Sequence, residues 1–195
     1  SLLSVGYNNE EISQLFNKTD FSKFKDDSLF FLSNILRLFN RYGWYKGNAI
    51  RKWIANAISK KVDENITFSQ LAAMKGKDNK KELYVIGTDV NKKSAVVFSH
   101  ETHPNMKIVD AVRITMGIPL FFKTITDNHS IFVDGGIYYN FPINLFDHKK
   151  YLGEKSMKII YNKETLGIRV DNPQEILEKR KKKKIKLEKI TSLKE

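Results

Sequence analysis

The sequence predicts an α/β protein, because helical and strand-like segments alternate along a single chain. Residues 49–62 place apolar side chains at the spacing of one helix face. Residues 82–88 and 94–99 are short runs rich in β-branched and aromatic residues, which is typical of strands. At 195 residues the chain is long enough to bury one sizeable core. Periodicity alone gives this mixture of helix and strand and no finer architecture.

The N-terminal part is predicted to be mostly helical. A short helix at residues 10–16 begins at a cap on Asn8 or Asn9. Residues 28–41 are apolar on more than one helical face, which predicts a buried core helix or, as the alternative, a cap that contacts lipid. Residues 43–47 are predicted to form a turn because glycines bound them.

Short helices and strands are predicted for the rest of the chain. Thr67 and Gln70 have the spacing of a capping box at the start of a helix. Gly117 and Pro119 should end the helix that contains Arg113, which is interpreted as a structural residue. The predicted helices lie at residues 67–74 and 109–116, and the predicted strands at residues 82–88, 94–99, 121–125, 130–133, 157–161 and 165–170.

One carboxylate stands out in residues 131–146, Ile-Phe-Val-Asp-Gly-Gly-Ile-Tyr-Tyr-Asn-Phe-Pro-Ile-Asn-Leu-Phe. Asp134 follows the end of a predicted buried strand, and Gly135 and Gly136 let the backbone turn sharply after it. Open α/β sheets usually hold their ligands at the carboxyl ends of strands. The alternative is that Asp134 only caps the turn through its own backbone.

This stretch closely resembles the patatin-like phospholipase family when it is taken with Asp-Ala-Val-Arg-Ile-Thr-Met-Gly-Ile-Pro at residues 110–119 and Asn-Phe-Pro-Ile at residues 140–143. The resemblance extends over nearly the whole chain to about residue 171. It implies a three-layer α/β/α fold with a mixed central sheet and helices on both faces. It also implies hydrolysis of phospholipid or another acyl lipid by a Ser-Asp dyad, with Asp134, Gly135 and Gly136 forming the acid motif, Asp134 the proton acceptor, and no cofactor or metal.

The family's nucleophile elbow, Gly-x-Ser-x-Gly, and its Gly-rich oxyanion loop do not occur in these 195 residues. The first residues resemble the helix that follows the elbow, so we expect the N-terminal strands to be missing and this chain to carry only the acid half of the site. Residues 1–173 are then a partial patatin-like domain that is inactive alone, and residues 174–195 a basic helix or tail. The alternative is a non-catalytic patatin-like scaffold that binds a membrane or a partner.

The net charge of +12 favours anionic partners. Six consecutive cations could contact an anionic membrane, whereas the lack of aromatic residues among them disfavours nucleic acid. They are Lys179, Arg180, Lys181, Lys182, Lys183 and Lys184. No apolar run approaches about 18 residues, and there are no cysteines for disulfides or thiolate metal sites. His100 and His103 are predicted to be loop histidines. We expect a cytoplasmic or peripheral membrane location, with secretion left open.

Overall fold

The computed structural model describes residues 1–26, 31–127, 130–148, 151, 161–170 and 177. The chain divides into two compact units, Ser1–Asn140 and Phe141–Glu195. Every α-helix and strand named below belongs to the first unit, as does the predicted Asp-Gly-Gly motif. The basic run at residues 179–184 lies outside the described residues.

Helices and strands alternate in the first unit, which confirms the predicted α/β class. The helices are α1 (Asn9–Asn17), α2 (Phe31–Arg41), α3 (Asn48–Ser59), α4 (Phe68–Ala73) and α5 (Ile108–Thr115). The strands are β1 (Gly43–Tyr45), β2 (Val85–Asp89), β3 (Ser94–Phe98), β4 (Leu120–Phe122), β5 (Ile125–Asp127) and β6 (Ser130–Asp134). None of the described helices is long and apolar enough to cross a bilayer.

Parallel and antiparallel pairing both occur, and they are divided between two sheets. Strands β3, β2, β6 and β5 form an antiparallel sheet in that order, with β2 and β3 as a hairpin at one side. Strands β1 and β4 form a separate parallel pair. Gly87 of β2 lies opposite Asp134 of β6, so the last residue of β6 is held inside the sheet.

The core lies where α3 and α5 pack against each other and α5 packs on the antiparallel sheet. Helix α3 buries Ile50, Ile54, Ala57 and Ile58, which is the face that the sequence predicts. Helix α5 is buried over most of its surface and contacts β2 and β6. Burial of such apolar faces is the main stabilising contribution in a fold of this size.

Two helix starts are fixed by reciprocal capping. The side chain of Asn8 accepts the N–H of Glu11, and the Glu11 carboxylate accepts the N–H of Asn8. Thr67 and Gln70 form the same arrangement at α4. The predicted capping box is confirmed, and Asn8 rather than Asn9 caps α1.

The predicted turn at residues 43–47 is wrong, because residues 43–45 form strand β1. Gly43 pairs with Leu120, and a Cβ on Gly43 would overlap the backbone of Phe122. The glycine is therefore required by close approach of two strands. Sequence alone does not distinguish this role from a turn.

The single predicted strand at residues 121–125 is also wrong, because two strands occupy this region. Strand β4 pairs in parallel with β1, whereas β5 pairs antiparallel with β6. Lys123 and Thr124 lie between them and bond to carbonyls of Tyr45 and Arg41. The chain changes sheet here, which a run of β-forming residues does not reveal.

In the second unit, residues 165–170 form no strand, contrary to the prediction. Leu166, Ile168 and Val170 are all largely exposed, and no described strand pairs with this segment. A strand needs a partner for its N–H and C=O groups, so alternating side chains alone are insufficient. The strand predicted at residues 157–161 lies outside the described residues except for Tyr161.

Helix α2 contradicts the prediction of a buried core helix. Leu32, Leu36 and Phe39 are 67%, 54% and 74% exposed, whereas the polar Asn34 is 4% exposed. The apolar face therefore points away from the described part of the protein. The periodicity correctly predicts a helix but does not tell which of its faces the protein covers.

Candidate active site

Asp134 is the last residue of β6, as the sequence predicts. Two hydrogen bonds fix its backbone: its N–H donates to Gly117 O at 3.1 Å, and its carbonyl accepts the hydroxyl of Thr88 at 2.9 Å. Gly87 also lies opposite Asp134 in the pairing of β2 with β6. Strand β2 and the segment after α5 thus fix the position from which the carboxylate projects.

The Asp134 carboxylate uses one oxygen to cap the following turn. Its Oδ1 accepts the backbone N–H of Gly136 at 2.8 Å. No group among the described residues donates a hydrogen bond to Oδ2, and the side chain is partly exposed. The turn-capping alternative is therefore observed, but it occupies only Oδ1. The same contact orients the carboxylate and leaves Oδ2 open to a further hydrogen bond.

The two glycines of the motif have different roles. Gly135 is buried, and a Cβ there would overlap the carbonyl oxygen of Ile86, so the backbone needs glycine to approach β2. Gly136 is exposed, and a Cβ would lie 3.2 Å from Oδ1 of Asp134 and from Oδ1 of Asn140. The turn Gly135–Ile137 is a short 3₁₀ helix, and Asp134 caps its start by accepting the N–H of Gly136.

Asp134 lies on the wall of a mostly apolar cavity of about 410 Å³. That volume is within the range of sites that bind small molecules. Thr115 and Lys25 are the other polar residues of its wall. The apolar wall is formed by Phe21, Phe24, Ile50, Met116, Ile118, Phe121 and Phe122. An apolar cavity beside a carboxylate suits a ligand that has a hydrocarbon part and a reactive polar group.

The sequence does not predict which residues form the walls of this cavity. Phe21 and Phe24 belong to a 3₁₀ turn in an otherwise polar stretch, more than 100 residues before Asp134. Their only signal is the presence of aromatic residues where the surrounding sequence is polar. A larger cavity of about 1020 Å³ has lysines and Trp53 in its wall and does not include Asp134.

A buried carboxylate supports the start of β6. Asp89 is fully buried, and it accepts the hydroxyl of Ser130 at 2.8 Å and the N–H of Lys92 at 3.0 Å. Burial alone would raise the pKa of Asp89, but these hydrogen bonds and the Lys92 ammonium outweigh it and lower that pKa. Asp89 therefore stays ionised and holds β2 to the first residue of β6.

Arg113 supports the other side of the site. It is 3% exposed and donates to the carbonyls of Gly47 at 3.0 Å and Lys123 at 3.3 Å. Its guanidinium lies 4.8 Å from the ring centroid of Phe122, which lines the cavity. Burial lowers the pKa of Arg113 from the ordinary arginine value. The structural interpretation of Arg113 is confirmed, since its partners are backbone carbonyls.

Neither His100 nor His103 lines the cavity that contains Asp134. His100 and His103 are in the loop after β3, and His103 contacts Thr102 and the ring of Phe98. The predicted loop position of both is confirmed. Within the part of the chain that the structure describes, no group of three or more His, Cys, Asp or Glu side chains could hold a metal ion.

These features define an α/β protein that presents an acid at a strand end beside an apolar cavity. A family model described as patatin-like phospholipase matches residues 1–147. Since this match covers more than half of the 195 residues, the chain belongs to the patatin-like phospholipase family.

Three curated relatives are similar to this chain. An uncharacterized protein of Acanthamoeba polyphaga mimivirus is 28% identical over 148 residues, 75% of this chain and 46% of the relative. The probable lipid hydrolase 463L of Invertebrate iridescent virus 6 is 29% identical over 163 residues, which are 80% of this chain and 51% of the relative. YqhO of Bacillus subtilis strain 168, an uncharacterized protein, is 30% identical over 165 residues, which are 77% of this chain and 53% of the relative.

The chain spans about half the length of the curated relatives that it matches. Among solved structures, the crystal structure of VipD from Legionella pneumophila aligns with 70% of this chain and 38% of that chain, at 17% identity and a TM-score of 0.49.

Proposed function

We propose that this chain belongs to a serine lipid acyl hydrolase in which Asp134 is the acid of a Ser-Asp dyad. Family membership and the similarity to a probable lipid hydrolase support lipid hydrolysis. The assignment of the acid depends on the surroundings of the Asp134 carboxylate. Its Oδ1 is fixed by Gly136, its Oδ2 has no partner among the described residues, and it borders an apolar cavity.

The proposed reaction begins with a serine hydroxyl that attacks the ester carbonyl and transfers its proton to Oδ2 of Asp134. The tetrahedral intermediate then collapses, and the alcohol leaves with the proton that Asp134 had accepted. Water, which gives a proton to Asp134 in its turn, then releases the fatty acid from the acyl-serine. Because no histidine mediates the transfer, the serine has to lie about 2.6 to 3.2 Å from the carboxylate. The 195 residues contain no Gly-x-Ser-x-Gly, so the proposal requires a serine from outside these residues.

The apolar cavity gives the proposed substrate its class. Aromatic and aliphatic side chains form most of the cavity wall, and Asp134 is one of its few polar residues. A fatty acyl chain in the cavity would place its ester bond near the carboxylate. The proposed substrates are therefore phospholipids or other acyl lipids, and no cofactor takes part in the proposed chemistry.

The test is ester hydrolysis by the complete gene product that contains the elbow. We expect Asp134→Asn to lower kcat for a short-chain chromogenic ester by about 10²- to 10⁴-fold, the usual contribution of a general base. Asp127→Asn is the matched control, because Asp127 is an exposed carboxylate on the neighbouring strand β5 of the same sheet. Circular dichroism spectra should show that both variants are folded.

Two results would contradict this proposal. Full activity of the Asp134→Asn variant would show that Asp134 is not the acid. A folded complete protein that binds phospholipid vesicles but hydrolyses neither vesicles nor soluble esters would favour the non-catalytic scaffold. The 195-residue chain alone is expected to be inactive, because it contains an acid without the elbow serine.

A further inference from the structure

Helix α2 presents its apolar side to the exterior. Leu32, Leu36 and Phe39 are spaced by four and three residues, so they lie on one face of the helix, and all three are more than half exposed. Large contiguous exposed apolar surfaces on a soluble protein usually mark a binding surface. We call these three residues the α2 apolar face.

The opposite side of α2 holds the helix on the protein through polar contacts. Arg37 donates from one guanidinium nitrogen to Asn34 Oδ1 at 3.1 Å and to the carbonyl of Trp44 at 2.5 Å. Asn34 is buried, and α2 packs beside β1. Since these contacts fix the rotation of the helix about its axis, the exposure of the α2 apolar face does not result from a loosely attached helix.

The surface near the end of α2 leads to the candidate active site. The carbonyl of Tyr42, just after the helix, accepts the N–H of Leu120 in β4. Leu120 is 64% exposed, and its neighbours Ile118 and Phe121 are exposed and also line the cavity that contains Asp134. Exposed apolar residues thus occur both on α2 and at the rim of the cavity, and β1 connects the two regions.

We propose that the α2 apolar face and the exposed rim residues Ile118, Leu120 and Phe121 insert into the surface of an anionic lipid bilayer. This inference rests on the proposed lipid hydrolysis. The rim residues would then place the opening of the cavity against the bilayer, where a lipid can enter without crossing water. Interfacial helices bind in this manner, with apolar side chains in the acyl region and cations near the headgroups.

Charge favours an anionic bilayer over a second copy of the chain. Lys25 lies exposed at the cavity wall and Arg41 is exposed at the end of α2. Asp26, the acid next to Lys25, accepts the backbone N–H groups of Gly47, Asn48 and Ala49, so the amino end of α3 offsets its charge. With a net charge of +12, two copies repel each other, whereas anionic lipid attracts each copy.

The first test measures binding of the 195-residue protein to unilamellar vesicles of phosphatidylcholine that contain about 30% phosphatidylglycerol, because anionic lipid attracts basic protein surfaces. The variant is Leu36→Gln with Phe39→Gln, since glutamine preserves helix propensity. Met74→Gln with Val90→Gln is the matched control, because both are exposed apolar side chains outside α2, Met74 just after α4 and Val90 just after β2. We expect vesicle affinity to fall at least about tenfold for the α2 variant and less than about twofold for the control, as for scattered surface residues.

The second test locates the helix directly. The protein has no cysteine, so Leu36→Cys can carry a single polarity-sensitive fluorophore, with Val90→Cys as its control. We expect vesicles to shift the emission of the label at position 36 to the blue, and spin-labelled lipid to quench it, while the label at position 90 stays in water. The shift should persist in about 0.5 M salt. Salt at this concentration screens charges, so it removes binding that depends only on the basic run at residues 179–184.

Several results would overturn this inference. These are equal vesicle binding by the wild type and the α2 variant, an unshifted label at position 36, or a dimer in solution that the α2 variant converts to a monomer. Because these measurements need no hydrolysis, they are independent of the proposed catalytic role of Asp134. Membrane insertion without hydrolysis by the complete protein would refute only that role, and hydrolysis without insertion would refute only the present inference.

Discussion

Gly136 donates its backbone N–H to Oδ1 of Asp134 over 2.8 Å, so the residue two positions after the acid fixes the orientation of the carboxylate. The same contact is what an ordinary Asx turn would form. It differs from an isolated Asx turn because Asp134 lines an apolar cavity and its Oδ2 accepts no hydrogen bond from any described residue. The geometry of the turn therefore determines which carboxylate oxygen has a hydrogen-bond donor among the described residues and which does not.

The two glycines of the motif should respond differently to substitution. Gly135→Ala places a methyl group onto the Ile86 carbonyl, so the turn has to move away from β2, and we expect the free energy of unfolding to fall by about 1–3 kcal/mol. Gly136→Ala meets only the side-chain oxygens of Asp134 and Asn140 at 3.2 Å. Its cost in unfolding free energy should stay below about 1 kcal/mol. Urea denaturation of both variants tests this, and equal costs would contradict the close approach of Gly135.

Thr88 is predicted to be a positioning residue for the acid. Its buried hydroxyl donates to the carbonyl of Asp134 at 2.9 Å, and Thr88→Val removes this bond with little change of shape. We expect the Thr88→Val substitution to lower the free energy of unfolding by about 1–3 kcal/mol. In the complete protein it should also lower kcat for a soluble ester with little change in KM. Thr88→Ser retains the hydroxyl and should recover most of kcat. If the serine variant loses as much kcat as the valine variant, the hydrogen bond is not the cause.

The sequence predicts the elements whose signals are local. Helix α3 follows from its apolar period, the start of α4 from the Thr67–Gln70 capping box, and strands β2 and β3 from two β-rich runs. The placement of Asp134 at the end of β6 follows from a strand-forming run that meets two glycines. In each case a few neighbouring residues determine the geometry.

Features that depend on distant residues could not be predicted in this way. Gly43 belongs to a strand because Leu120 lies beside it, and this pairing leaves no trace in the residues around Gly43. Phe21 and Asp134 line one cavity although they are far apart in sequence. The pattern of α2 predicts an apolar face, but only the packing of Asn34 and the neighbouring β1 determines that this face points outward.

Arg113 should contribute far more to stability than an exposed arginine. Arg113→Met leaves the buried carbonyls of Gly47 and Lys123 without this donor, and we expect a loss of about 2–4 kcal/mol in unfolding free energy. The control is Arg51→Met, which removes an exposed ion pair with Asp110. Exposed pairs contribute about 0–1 kcal/mol. Thermal and urea denaturation of the two variants test the difference, and similar losses would refute the structural role of Arg113.

Asp89 should make stability depend on pH below the neutral range. Because its pKa is lowered in the folded protein, the unfolded chain binds the proton more readily. Its stabilising contribution is therefore complete above the ordinary aspartate pKa of about 4 and is lost as the pH falls through the lower folded value.

We therefore expect Asp89→Asn to unfold more easily than the wild type at pH 7, and we expect the difference to shrink steadily as the pH falls below about 4. Ser130→Ala removes one of the two hydrogen bonds to the carboxylate and should show a smaller pH dependence of the same sign. Urea denaturation at several pH values between about pH 3 and pH 7 measures both differences, because this range includes the titration of aspartate. A difference for Asp89→Asn that is the same at both ends of this range would mean that the buried carboxylate stabilises the fold through its shape rather than through its charge.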